Sequence, residues 1–165
     1  MAPSIARSMA ARLWYKRRTM SRLFAPFERG KDLTAFLLRV LLGARLVWGA
    51  QDNVFSWERM EEFAGFLAAN GFPWPLPGAV LSAWVQFVCG ILLVLGAFTR
   101  WASALVVLNF IAALLIAHRS DTFEGMFPAL VMLFGGLYFL AHGAGRPSVD
   151  AVLEARRPTT HSTRG

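Results

Sequence analysis

The chain has 165 residues, 56% of them hydrophobic, 13% aromatic and only 16% charged, with a mean hydropathy of +0.46; this suits one compact membrane domain with short polar ends. The net charge of +7 does not point to nucleic acid, because the basic residues flank long apolar runs, as membrane orientation by itself requires. One cysteine, Cys89, excludes an intramolecular disulfide, a CxxC redox pair and a cysteine-rich metal site.

Residues 1–31 hold eight Lys or Arg against one acid, Glu28, with scattered Leu13, Trp14, Leu23, Phe24 and Phe27. No apolar run of seven or more follows the basic residues before Asp32, which argues against a secretory signal. Two readings stay open: a basic cytoplasmic arm resting on anionic headgroups, or an Arg-rich, acid-poor organellar transit peptide.

The first predicted span is 33–50, with Asp32 placed to cap it; at 1.5 Å per residue it is roughly 27 Å long, enough to cross the hydrocarbon. It carries Arg39 and Arg45. An arginine at the centre of a membrane helix costs about 2.5–3.5 kcal/mol on insertion scales, so both are expected to face protein or water. Six residues separate them, about 120° around the axis, and they need not share a pocket. The connection that follows contains Ser56 as a helix cap, early acids, an apolar stripe of Trp57, Met60, Phe63, Phe66 and Leu67, and a stop at Asn70-Gly71. It reads as a short amphipathic helix at the interface.

Two apolar runs without Asp, Glu, Lys or Arg, 78–97 and 101–118, are joined by a short link and form a transmembrane hairpin. A fourth span, 126–142, tolerates Pro128 in its first turn and stops at Gly143-Ala144-Gly145. Ser148 is placed to cap a last short helix before a polar tail. The fold class is therefore all-α, a four-transmembrane-helix antiparallel bundle (domain 32–145) with a short amphipathic helix in the first extracytoplasmic loop, between the basic arm 1–31 and the tail 146–165. Thirteen of the seventeen Lys and Arg lie in the arm, at Arg100 or in the tail, and only Arg59 and Arg119 lie in the opposite loops, so both termini are expected to be cytoplasmic.

Depth along the spans groups the polar residues. Arg45, roughly 8 Å from the outer end of span one, Gln86, roughly 12 Å in, and His118 are expected to converge with Asp52 on an outward pocket. Arg39, Asn109 and His142 are expected to form a second cluster nearer the cytoplasm. Each has a structural alternative: Arg39 holding helix ends, Arg45 neutralising Asp52 on its own helix, Gln86 and Asn109 bonding between helices, the histidines decorating span ends, Cys89 as a packed apolar group. No metal-ligand spacing, nucleophile triad or phosphate loop is present.

Gln86-Phe87-Val88-Cys89-Gly90, the LG-x-x-TR run containing Gly96, Thr99 and Arg100, and the G-x-GR-x-S-x-D run containing Gly143, Gly145, Arg146, Ser148 and Asp150 resemble the DoxX family of small bacterial four-helix membrane proteins. Arg39, Gly43 and Gly49 resemble the arginine and glycines of that family's first span. The resemblance covers about residues 33–150 and implies a bacterial inner-membrane protein, related to the membrane subunit of a thiosulfate:quinone oxidoreductase. Many members have a glutamate at the position of Gln86 and a lysine at that of Asp52, so a proton or cation role is not expected here. The function this implies is an accessory subunit of a quinone- or thiol-related redox system, with a quinone as the possible cofactor, no metal, and the bilayer and oxidoreductase proteins as partners. A small-molecule or ion conduit and a membrane scaffold for soluble proteins are the alternatives.

Overall fold

The computed structural model describes residues 30–117, 119 and 121–156. The basic arm up to residue 29, His118 and the tail from residue 157 lie outside the described residues. Six helices follow in order: α1 (Gly30–Phe55), α2 (Trp57–Ala69), α3 (Pro75–Leu95), α4 (Thr99–Ile116), α5 (Phe123–His142) and α6 (Val149–Ala155). α1, α3, α4 and α5 are each long and apolar enough to cross a membrane, and no strand occurs among the described residues.

Most helix boundaries differ from expectation for local reasons. α1 runs to Phe55 rather than Ala50, because Gln51 to Phe55 contain neither Gly nor Pro and the helix meets its stop only at Ser56. At its other end Gly30 and Lys31 are already helical, so Asp32 lies within the helix instead of capping it; the Asp32 carboxylate accepts from the Arg146 N–H at 3.3 Å. α3 begins at Pro75, three residues early, since proline in a first turn has no N–H to waste and a pre-set φ. It closes at Gly96, whose φ of +66° suits glycine, while Gly96 and Ala97 N–H groups return to the Leu93 and Leu92 carbonyls. α5 begins at Phe123, capped by Thr122, which puts Pro128 in the second turn, not the first. The helix continues through it with one ladder bond fewer.

α2 is amphipathic as expected, but it does not lie free at the interface. Met60 and Ala64 are buried against Ala79 and Ala83 of α3, with Phe63 and Leu67 packed beside them, while Trp57 and Phe66 stay exposed. Its polar face is self-paired: Arg59 donates to Glu62 at 2.8 Å, which holds the guanidinium above its usual pKa, and the Trp57 indole donates to Glu61 at 2.8 Å.

The bundle core joins Ala35, Leu42 and Leu46 of α1 to Cys89 and Leu93 of α3, Ala102 and Val106 of α4, and Met132 and Phe139 of α5. The outer faces carry exposed Leu81, Leu105, Leu108, Leu115 and Phe134, as lipid contact requires. α1 and α3 meet backbone to backbone where Gly43 faces Gly90: a Cβ on Gly43 would stand 2.6 Å from the Gly90 carbonyl oxygen. Backbone cannot yield as a flexible side chain can. Gly43→Val is therefore expected to destabilise the bundle by about 1–3 kcal/mol through overpacking. Thermal unfolding in detergent, with Gly65→Ala as the control at an uncrowded helix position, measures this.

Candidate functional site

At the end of the bundle where α1, α3 and α5 approach α6, the Arg39 side chain is 1% exposed. Its guanidinium donates to the Ala144 carbonyl at 2.7 Å and the Pro147 carbonyl at 2.6 Å, and the Phe36 ring lies 5.6 Å away. Gly143-Ala144-Gly145-Arg146-Pro147-Ser148 is the stretch where the backbone leaves α5 without helical partners, so its carbonyls need donors from elsewhere. Arg39 supplies them.

The same motif residues bind α4. Asp150 accepts from the Phe98 N–H at 2.7 Å and the Thr99 N–H at 2.9 Å, acting as the cap of α4 from about fifty residues away, while its own N–H donates to the Gly96 carbonyl at 2.9 Å. This remote cap explains why α4 begins at Thr99 with Phe98 at a φ of +49°, where the first apolar residues alone suggest Trp101. Ser148 donates to the Gly145 carbonyl at 2.6 Å and accepts from the Ala151 N–H at 3.1 Å. Arg100 donates to the Leu140 carbonyl at 3.2 Å. Gly96 has a second constraint here: a Cβ would stand 2.6 Å from both the Arg39 guanidinium carbon and Ser148 Cβ. Thus the two motif runs and Arg39 form one latch, tying the tail of α5 to α1, α3 and α4.

The second feature is a cavity of about 500 Å³ between α2, α3 and α4 that opens onto the outer face of the bundle, exposed Phe66, Leu81, Leu105 and Leu108 forming its rim. Its walls are apolar, with Phe63, Phe66, Phe72, Val85, Leu108 and Ile116 among them, and its polar groups are Ser82, Gln86 and Asn109, all neutral. Gln86 Nε2 donates to Ser82 Oγ at 3.1 Å across one helical turn. Asn109 Nδ2 is buried and has no hydrogen-bond partner among the described residues.

The structure redistributes the two expected clusters. Asn109 is ten residues beyond Thr99, about 15 Å along α4, and lines the cavity with Gln86, so it does not join Arg39. His142 is at the Arg39 end but is exposed, stacked on Tyr138 with ring centroids 4.4 Å apart. Its imidazole makes no bond to Arg39. Arg45 is exposed on the outer face of α1 and does not line the cavity. Because α1 continues to Phe55, Arg45 lies ten residues, about 15 Å, from the helix end, deeper than a span ending at Ala50 implies. Asp52 is exposed, with no ion pair to Arg45 among the described residues; His118 lies outside them. Among the described residues no cluster of His, Cys, Asp or Glu could hold a metal. Sequence reasoning missed Ser82, although its position four residues before Gln86 puts it on the same helix face. It also missed Phe36, which nothing in the spacing marks.

A bundle of four apolar helices, closed at one end by a buried arginine and holding a neutral cavity, defines a small integral membrane protein. The family model described as DoxX matches residues 34–119, more than half of the chain, and the chain belongs to the DoxX family. No curated protein and no solved structure matches it.

The latch makes Arg39 a test of the fold. Each charge-assisted bond contributes about 1.5–3 kcal/mol, so Arg39→Leu is expected to lower stability by about 3 kcal/mol or more. Arg39→Lys should recover only part, since an ammonium lacks the fork that reaches two carbonyls. Unfolding midpoints in detergent and protease cleavage within 143–148 report both effects.

Proposed function

We propose that this protein is an accessory subunit of a membrane redox system and that the cavity between α2, α3 and α4 receives the ring of a quinone. The single observation behind this reading is a pocket of about 500 Å³ whose polar residues are Ser82, Gln86 and Asn109, all neutral, with the buried Asn109 amide nitrogen left without a hydrogen-bond partner among the described residues. Small-molecule pockets commonly span about 300–1,000 Å³ and combine apolar walls with a few converging polar groups. A quinone carbonyl accepts hydrogen bonds and carries no charge, which matches an amide donor in a site without ionisable groups. An amide at position 86 donates to such an oxygen without the desolvation cost of a carboxylate.

The arrangement supports binding better than conduction. A conduit needs a continuous polar path, whereas Arg39 is occupied by two carbonyls and Asn109 belongs to a cavity in the other half of the bundle. The distribution of Lys and Arg supports cytoplasmic termini in a bacterial inner membrane, with the arm 1–31 and the tail 146–165 on the cytoplasmic side and the cavity in the outer half of the bilayer. A redox protein partner would then draw on quinone held there.

Equilibrium binding of a short-chain quinone to the full chain in lipid nanodiscs tests the reading. Saturable binding is expected, weakened about three- to tenfold in Asn109→Leu by the loss of one hydrogen bond, with stability unchanged or raised. Failure of the wild-type protein to bind any quinone would remove it.

A further inference from the structure

Arg45 is six residues beyond Arg39, about 9 Å above the latch, and about 15 Å short of Phe55, which puts it at mid-depth in the apolar part of α1. It is exposed on a face shared with Leu41, Trp48 and Phe55, which are 66%, 73% and 77% exposed. Among the described residues its guanidinium has no hydrogen bond and no ion pair. The side chain lies along the helix over Gly49, with a guanidinium nitrogen 2.5 Å from where a Cβ would stand, and so is directed toward Asp52. Asp52 is also exposed and makes no direct ion pair among the described residues, the Arg59 of α2, which feels its charge, being already bonded to Glu62; seven residues on, it falls within about 20° of the same face.

We propose that this face of α1 is a homodimer interface within the bilayer, in which Arg45 of each copy pairs with Asp52 of the other. A guanidinium at mid-depth demands a counter-charge, and lipid tails offer none. Within one copy the two groups share this face, yet they form no ion pair among the described residues. A two-fold axis along the membrane normal keeps both copies in the same orientation and uses one patch twice, so a face that carries both halves of an ion pair is complementary to itself. The Arg45 guanidinium already reaches the level of Gly49, leaving an axial rise of about 4.5 Å to the other copy's Asp52. Ala44, small and exposed on the flank of this face, leaves room for the second helix. An anionic lipid is disfavoured as the occupant, because Asp52 would repel its headgroup.

The test uses the full chain with two different affinity tags, co-expressed and captured in sequence from nanodiscs or mild detergent. Wild-type copies are expected to co-purify, and Arg45→Asp alone and Asp52→Arg alone are each expected to lose self-association through like-charge repulsion. Co-expression of Arg45→Asp with Asp52→Arg should restore the pair, because one copy then carries two acids and the other two bases. A pair formed within one copy predicts no such rescue. Should either variant fail to fold, as judged by its unfolding midpoint, oxidative crosslinking of Trp48→Cys in a Cys89→Ala background replaces it, and a dimer band is expected. Monomeric wild-type protein, retention of self-association by the single variants, absence of rescue between folded variants, absence of the crosslink, or Arg45-dependent capture of lipid or another protein in place of a second copy would each overturn the proposal.

Discussion

One buried guanidinium governs this bundle. Backbone polar groups shut away from water must find partners within the protein, so a chain that leaves a helix where it is buried must bring its own donors. The segment after α5 leaves carbonyls without helical partners, and Arg39 meets two of them from the middle of another helix. An arginine that would otherwise burden α1 thereby becomes the condition for α5 to end and α6 to turn back. Its charge is spread over two short bonds, an aromatic face and the nearby field of Asp150.

The remainder of that end follows from the same accounting of donors and acceptors. Asp150 caps α4, the helix whose own leading residues offer no side-chain cap, and Gly96 vacates the volume the arginine needs. Removal of any one element leaves another with an unsatisfied buried group, which makes the latch cooperative. The opposite half of the bundle has its own small core. There the cavity opens, held by α2 folding onto α3 through Met60 and Ala64.

Charge is distributed with the same economy. The described part of the cavity lining contains no ionisable side chain. The two exposed ionisable groups of the upper half of α1 lie instead on its outer face, where an uncompensated Arg45 makes sense as part of an assembly. The cavity and the exposed face of α1 thus draw on different helices.

The four spans and the amphipathic helix were legible in the sequence because hydropathy over about twenty residues, caps and stops are local properties. So were the two motif runs, as residues without a geometry. Helix ends were less legible: Phe55 rather than Ala50 ends α1, and Thr99 rather than Trp101 begins α4, in the second case because the cap, Asp150, comes from a distant part of the chain. The grouping of the polar residues was decided only by tertiary structure. Depth along a span follows from counting residues, but azimuth follows from which face each helix turns to its neighbours. That rotation placed Asn109 with Gln86, sent Arg39 to the carbonyls of Ala144 and Pro147, and left Arg45 facing outward.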